Sequence, residues 1–121
     1  MEAIDALIAI AVVGIGGFFG GISRWALAKI PAPYVGTFAA NVIGSAVLGI
    51  AVMGPGFVPL AFGTGFAGGL STWSTLSREL GGLIKSKRWR KLATYAAATL
   101  LVGIVAAWRG TIWGGLIFAA W

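Results

Sequence analysis

The sequence predicts an all-α membrane protein of four transmembrane helices, the third of them broken near Gly68 to Thr75. Three observations lead there. Of 121 residues, 59% are hydrophobic and 10% charged, where a soluble domain carries about a quarter charged residues; the mean hydropathy is +0.95. The apolar residues gather into runs long enough for a bilayer core of about 30 Å, which takes roughly 20 residues per helix. Proline, glycine and one basic run separate those runs. The length suits one compact bundle, a single four-span membrane domain over 1–121.

The first span is expected over residues 4–28, ending near Arg24 and Lys29. "PAPY", Pro31 to Tyr34, stops it, because proline lacks a backbone donor and restrains the residue before it. The second covers 35–53, and "GPGFVP" at Gly54 to Pro59 makes a short turn. The third covers 57–84 but contains "GGLSTWSTL", with Ser71, Thr72, Ser74 and Thr75 around Trp73. Gly68 and Gly69 weaken helical continuity there. Isolated hydroxyls in membrane helices usually bond back to the preceding turn; four of them beside a glycine pair predict a break with a polar purpose. Carbonyls freed at a break are intolerable facing lipid, but acceptable against protein or an ion. The fourth span covers 92–108. The stretch 109–121 reads either as an extension of that helix or as an interfacial segment, with Trp108, Trp113 and Trp121 suited to membrane–water boundaries.

Glu2 and Asp5 precede the first apolar run, unlike the basic start of a secretory signal. Four spans put both termini on one side. The other side holds Arg24, Lys29, Arg78, Lys85, Lys87, Arg88, Arg90 and Lys91, against Arg109 on the terminal side. Positive residues favour the cytoplasm. The expectation is therefore a multi-pass plasma-membrane protein with its termini outside and the basic loop 85–91 cytoplasmic. That loop also carries most of the net charge of +6. Beside such apolar neighbours it reads as a membrane anchor rather than a nucleic-acid surface.

Histidine and cysteine are absent, which removes disulfides, thiolate chemistry and the usual zinc ligands. The acids, Glu2, Asp5 and Glu79, form no evident carboxylate pair. The inventory argues against an enzyme. "GIGGFFGG" fails as a dinucleotide fingerprint and reads instead as close helix packing, with small-xxx-small spacing at Gly16/Gly20 and Gly17/Gly21. Asn41, in mid-span, must find hydrogen bonds, either as glue between helices or as a donor on a polar path. Tyr95 on the fourth span, with Thr94 and Thr99 nearby, poses the same choice. Arg24 either snorkels to headgroups or draws anions to a vestibule.

Three stretches resemble the Fluc/CrcB fluoride channels: "GGFFGGISRW" (Gly16 to Trp25), "GTFAANVIGSAVLG" (Gly36 to Gly49) and "GTGFAGGLSTWSTLSRE" (Gly63 to Glu79). The last is similar to that family's Gly-Gly-x-Thr-Thr-Phe-Ser-Thr-Phe-Ser. The resemblance covers most of the chain. It implies a passive fluoride exporter, assembled as an antiparallel dimer with two pores and a sodium ion at its centre. It places the sodium on backbone carbonyls of Gly68 and Ser71, the pore at Asn41, Thr72, Trp73, Ser74, Thr75, Leu76 and Tyr95, and the vestibule at Arg24. Which hydroxyls face a pore stays open. Such a pore must replace fluoride's tightly held water with donors, for which hydroxyls, amides and aromatic edges serve.

The chain departs from the family where Trp73 and Leu76 stand in place of two phenylalanines. Leucine has no positive ring edge. An antiparallel homodimer also needs a chain that inserts both ways, which this charge bias opposes. Together these predict one half of a heterodimer, paired with an oppositely inserted relative. The alternatives are a homodimer, a non-conducting scaffold or assembly subunit, and a small multidrug transporter. The last would need an acid deep in the first span, where there is none.

Overall fold

The computed structural model describes residues 2–120, which are helices joined by short turns, without a β-strand among them. Trp121, expected at a membrane boundary, lies outside the described residues. Helix α1 spans Ala3–Leu27, with Asp5 in its first turn and Arg24 in its last, both placed to complement the helix dipole. A turn through Pro31 and Pro33 reverses the chain, with Tyr34 in the left-handed region (φ 69°). Helix α2 spans Val35–Ala51. After Gly56, also left-handed at φ 58°, comes a π-helical segment, π1, over Pro59–Ala67. Helix α3 (Gly68–Leu70), α4 (Ser74–Lys85) and α5 (Trp89–Ile117) complete the chain.

By length and composition, α1 and α5 are able to cross a membrane, and α2 is a shorter apolar helix. Helix α5 runs without interruption past Arg109 to Ile117. The wide winding of π1 has no counterpart in the sequence reading, since a π-turn carries no residue pattern of its own. Between α3 and α4, Ser71 is extended (ψ 154°) and residues 71–73 are non-helical.

Glycine sets the spacing of the bundle. A Cβ on Gly65 of π1 would lie 2.9 Å from Val13 O of α1, and one on Gly69 would lie 2.6 Å from Gly17 O. Gly16 and Gly20 are equally closed by the backbones of π1 and α3, whereas Gly21 has open space at its Cβ position. A second seam joins α2 to α5: a Cβ on Gly110 would approach Gly49 Cα to 3.1 Å, and one on Gly114 would lie 2.6 Å from Ile50 O. Backbones in such contact gain dispersion over their whole crossing, where larger side chains would hold them apart. The apolar outer faces of α1 and α5 remain exposed, with Ile4, Leu7, Leu101 and Ile104 each more than half accessible. In water this would be a large liability; it is the surface lipid requires.

Candidate functional site

Asn41 organises the interval between α3 and α4. An unbroken α-helix would direct the Thr72 N–H to the carbonyl of Gly68. Here that N–H donates to Asn41 Oδ1 at 2.6 Å, so Gly68 O is left without its helical donor. Two further bonds hold the arrangement. Ser45 Oγ donates to Asn41 O at 2.8 Å, one turn along α2. The Thr75 N–H donates to Thr72 Oγ1 at 3.2 Å, so Thr72 satisfies one of the orphan donors that open α4. Thr72 is 8% exposed, and its N–H and Oγ1 are thereby paired.

The residues expected to act together are distributed over separate surfaces. Arg24, Thr37, Thr72 and Thr75 line one open cleft of about 280 Å³ between the ends of α1 and α2 and the 71–73 interval. Gly68 and Ser71 line another, of about 350 Å³, with Gly44, Ser45, Gly63 and Thr64. This second groove is walled by small residues, hydroxyls and Leu48; the Cβ position of Gly68 has nothing nearer than Gly63 O at 3.9 Å. Tyr95 (8% exposed) and Leu76 (9%) sit in a third place, a small core with Leu83, against which Phe38, Leu80 and Leu92 pack. Trp73 is 76% exposed and Ser74 is exposed, so neither packs into the protomer.

Residues not singled out by the sequence complete these surfaces. Glu79, noted there only as a lone acid, accepts the Tyr95 hydroxyl at 2.8 Å. The Tyr34 ring lies 5.0 Å from that of Tyr95, and Lys91 Nζ is 5.0 Å from the Tyr34 ring. The signal for Glu79 was its position in a membrane-buried motif, where an acid is costly without a partner. Thr37 and Ser45 stand one turn either side of Asn41, a spacing that puts all three on one helical face. Ser77 Oγ and Thr99 Oγ1 are buried without a hydrogen-bond partner.

No group of three or more histidine, cysteine or acidic residues converges among the described residues. The oxygens lining the second groove are neutral carbonyls and hydroxyls. The chemistry of the second groove fits a hard monovalent ion in this respect: the carbonyl of Gly68 has lost its helical donor and the extended Ser71 turns its peptide out of the helix. On the other side, the cleft offers hydroxyls and the Arg24 guanidinium, which are donors to an anion.

Residues 11–111 match the family described as "CrcB-like protein, Camphor Resistance (CrcB)". A protein of Corynebacterium diphtheriae named fluoride-specific ion channel FluC 2 is 53% identical over 91 residues, covering 75% of this chain and 86% of its own. The fluoride-specific ion channel FluC 1 of Geobacillus kaustophilus is 41% identical over 106 residues, covering 81% of this chain and 90% of its own. The fluoride-specific ion channel FluC of Aromatoleum aromaticum is 35% identical over 131 aligned positions, covering 95% of this chain and all of its own. With the matched residues taking in α2, the 71–73 interval and most of α5, the chain belongs to the CrcB family.

Proposed function

We propose that this chain is a subunit of a passive, fluoride-selective channel that exports fluoride from the cytoplasm. The observation that carries the proposal is the Asn41–Thr72 bond. It holds the α3–α4 interval open, and with it a set of hydroxyls and amides that can replace water around a small anion. The names of the relatives supply the ion. Donors of this kind are weak singly, so an ion passed from one to the next is not trapped, as it would be by a lone buried cation.

The separation of the candidate residues supports assembly with a second subunit. Trp73 and Ser74 project from the protomer, and the groove at Gly68 and Ser71 is half-open. In an antiparallel pair this groove would meet its counterpart, and the carbonyls of Gly68 and Ser71 would hold a sodium ion between the chains. Such an ion would supply fixed positive charge at the dimer centre; these residues' part is to present oxygens that no helix consumes. Leu76 lies in its own protomer's core against Tyr95. A pore that needs an aromatic edge there takes it from the partner, so the partner is a related chain of opposite insertion rather than a second copy. The basic loop between α4 and α5 then lies in the cytoplasm and both termini outside.

Reconstitution tests this directly. Liposomes loaded with fluoride are made with this chain alone, with a related four-span chain, or with both. Efflux with both and little with either alone is the expected result. Vigorous efflux with this chain alone would refute obligate pairing, and chloride passing as readily as fluoride would refute the channel assignment.

A further inference from the structure

We propose that Arg109 and Trp113 form a binding site for the phosphate group of an anionic phospholipid, on the outward face of α5. The proposal rests on reading α5 as a membrane span and is independent of the ion carried. The side chain of Arg109 emerges among Val102, Val105, Ile112, Trp113 and Leu116, all exposed. At 3.6 residues per turn these share one side of the helix, turned away from the Gly103, Gly110 and Gly114 seam that meets α2.

The position is near the end of the span. Gly110 and Gly114 pack on Ala46, Gly49 and Ile50 in the last two turns of α2, which ends at Ala51, while α5 continues to Ile117. From Arg109 to the end of α5 at Ile117 is about 12 Å at ~1.5 Å per residue. A cation at this depth facing lipid needs either an anion or a route to water. Neither α5 nor α2 contains an acidic residue. The Arg109 guanidinium instead lies 5.7 Å from the Trp113 ring, one turn nearer the C-terminal end. The charge is thus directed along the helix toward the headgroup layer, with an indole beside it of the kind that settles at that boundary.

The chemistry that completes this arrangement is a phosphodiester. A guanidinium offers paired donors matched to two phosphate oxygens, while the acyl chains below would lie on Val105, Ile112 and Leu116. A carboxylate from a partner subunit is the rival. It is disfavoured by place, since the small-residue groove suited to a second subunit is lined by Ser45, Gly63, Thr64 and Gly68, on the side of α2 and π1.

The test uses the full-length protein in nanodiscs of phosphatidylglycerol and phosphatidylcholine, with retained lipid measured by native mass spectrometry. Arg109→Gln is expected to lose one tightly held phosphatidylglycerol, and Arg109→Lys, which keeps the charge and the fold, to hold it several-fold more weakly. Arg90→Gln, in the opposite-end basic run, should keep that lipid. Fluoride efflux by Arg109→Lys together with the related four-span chain should match that of the parent pair, which separates this site from the conduction reading. Equal retention in parent, Arg109→Lys and Arg109→Gln overturns the proposal. So does displacement of the lipid by millimolar inorganic phosphate, which would mark a free-anion site, or loss of subunit pairing in Arg109→Gln with lipid retention unchanged.

Discussion

Replacing Asn41 by alanine removes the acceptor of the Thr72 N–H and leaves that group buried and unpaired. The cost is about 1–3 kcal/mol, and fluoride efflux from liposomes that also hold the related four-span chain should be lost. Asn41→Asp separates the two effects. Its carboxylate still accepts from Thr72, so that N–H stays paired, while an unpartnered charge in mid-span lowers thermal stability and its negative sign beside the cleft should suppress efflux. Tyr95→Phe removes the hydroxyl that Glu79 accepts, and the expected outcome is a folded protein with slower efflux. The reading of Asn41 from sequence went as far as the choice between glue and donor. The structure gives its oxygen to Thr72, but the partner was not legible, because Thr72 lies 31 residues away and no spacing rule links positions on different helices. Glu79 was passed over for a similar reason: a lone acid shows its purpose only when the hydroxyl of Tyr95 is brought to it.

Among the elements, the glycine seams respond to substitution in opposite ways according to what stands opposite them. Gly110→Val drives a branched side chain into Ala46 and Gly49 of α2. Overpacking of this kind costs about 1–3 kcal/mol, and a drop in the melting temperature of the solubilised protein should report it. Gly14→Ala meets nothing within 4 Å and should be neutral or stabilising by about 0.5–1 kcal/mol, since alanine favours helix. The spacing of Gly16 and Gly20 was readable as a packing stripe. That Gly21 faces open space, and that Gly49 meets Gly110, was not, because periodicity marks a face without naming its neighbour. Helix α1 starts at Ala3 just after Glu2, and α2 at Val35 just after the Pro31–Tyr34 turn. Helix α5 instead starts at Trp89, inside the basic run 85–91, where the charge pattern predicts a loop before a span from 92. The π winding of residues 59–67 follows from no such mark.

At the scale of the whole molecule, the proposed orientation rests on the charge distribution. The exposed cations Lys85, Lys87, Arg88, Arg90 and Lys91 gather at the α4–α5 turn. A cysteine placed at Ser86, in this naturally cysteine-free chain, should react with an impermeant reagent only after cells are opened. Equal labelling before and after opening would mean the chain inserts both ways, and the argument for an unlike partner would lose its topological support. The family membership was legible in three motifs, because their residues are tied to the backbone geometry around Asn41 and the α3–α4 interval. The proposed pairing draws its structural support from Trp73, which at 76% exposure does not pack into its own protomer.

The π-helical stretch at Pro59–Ala67 bears on chain length. A π-turn houses a surplus residue, so shortening this stretch by one amino acid would relax it into ordinary winding. Because the tighter winding takes up the missing residue, the elements that follow keep their facing, and Thr72 still reaches Asn41. The cost falls on the π stretch itself, whose Gly65 would leave its close approach to Val13 and Gly16 of α1. Such a deletant should fold and keep its polar interval, with a lower melting temperature as the sign of the lost seam.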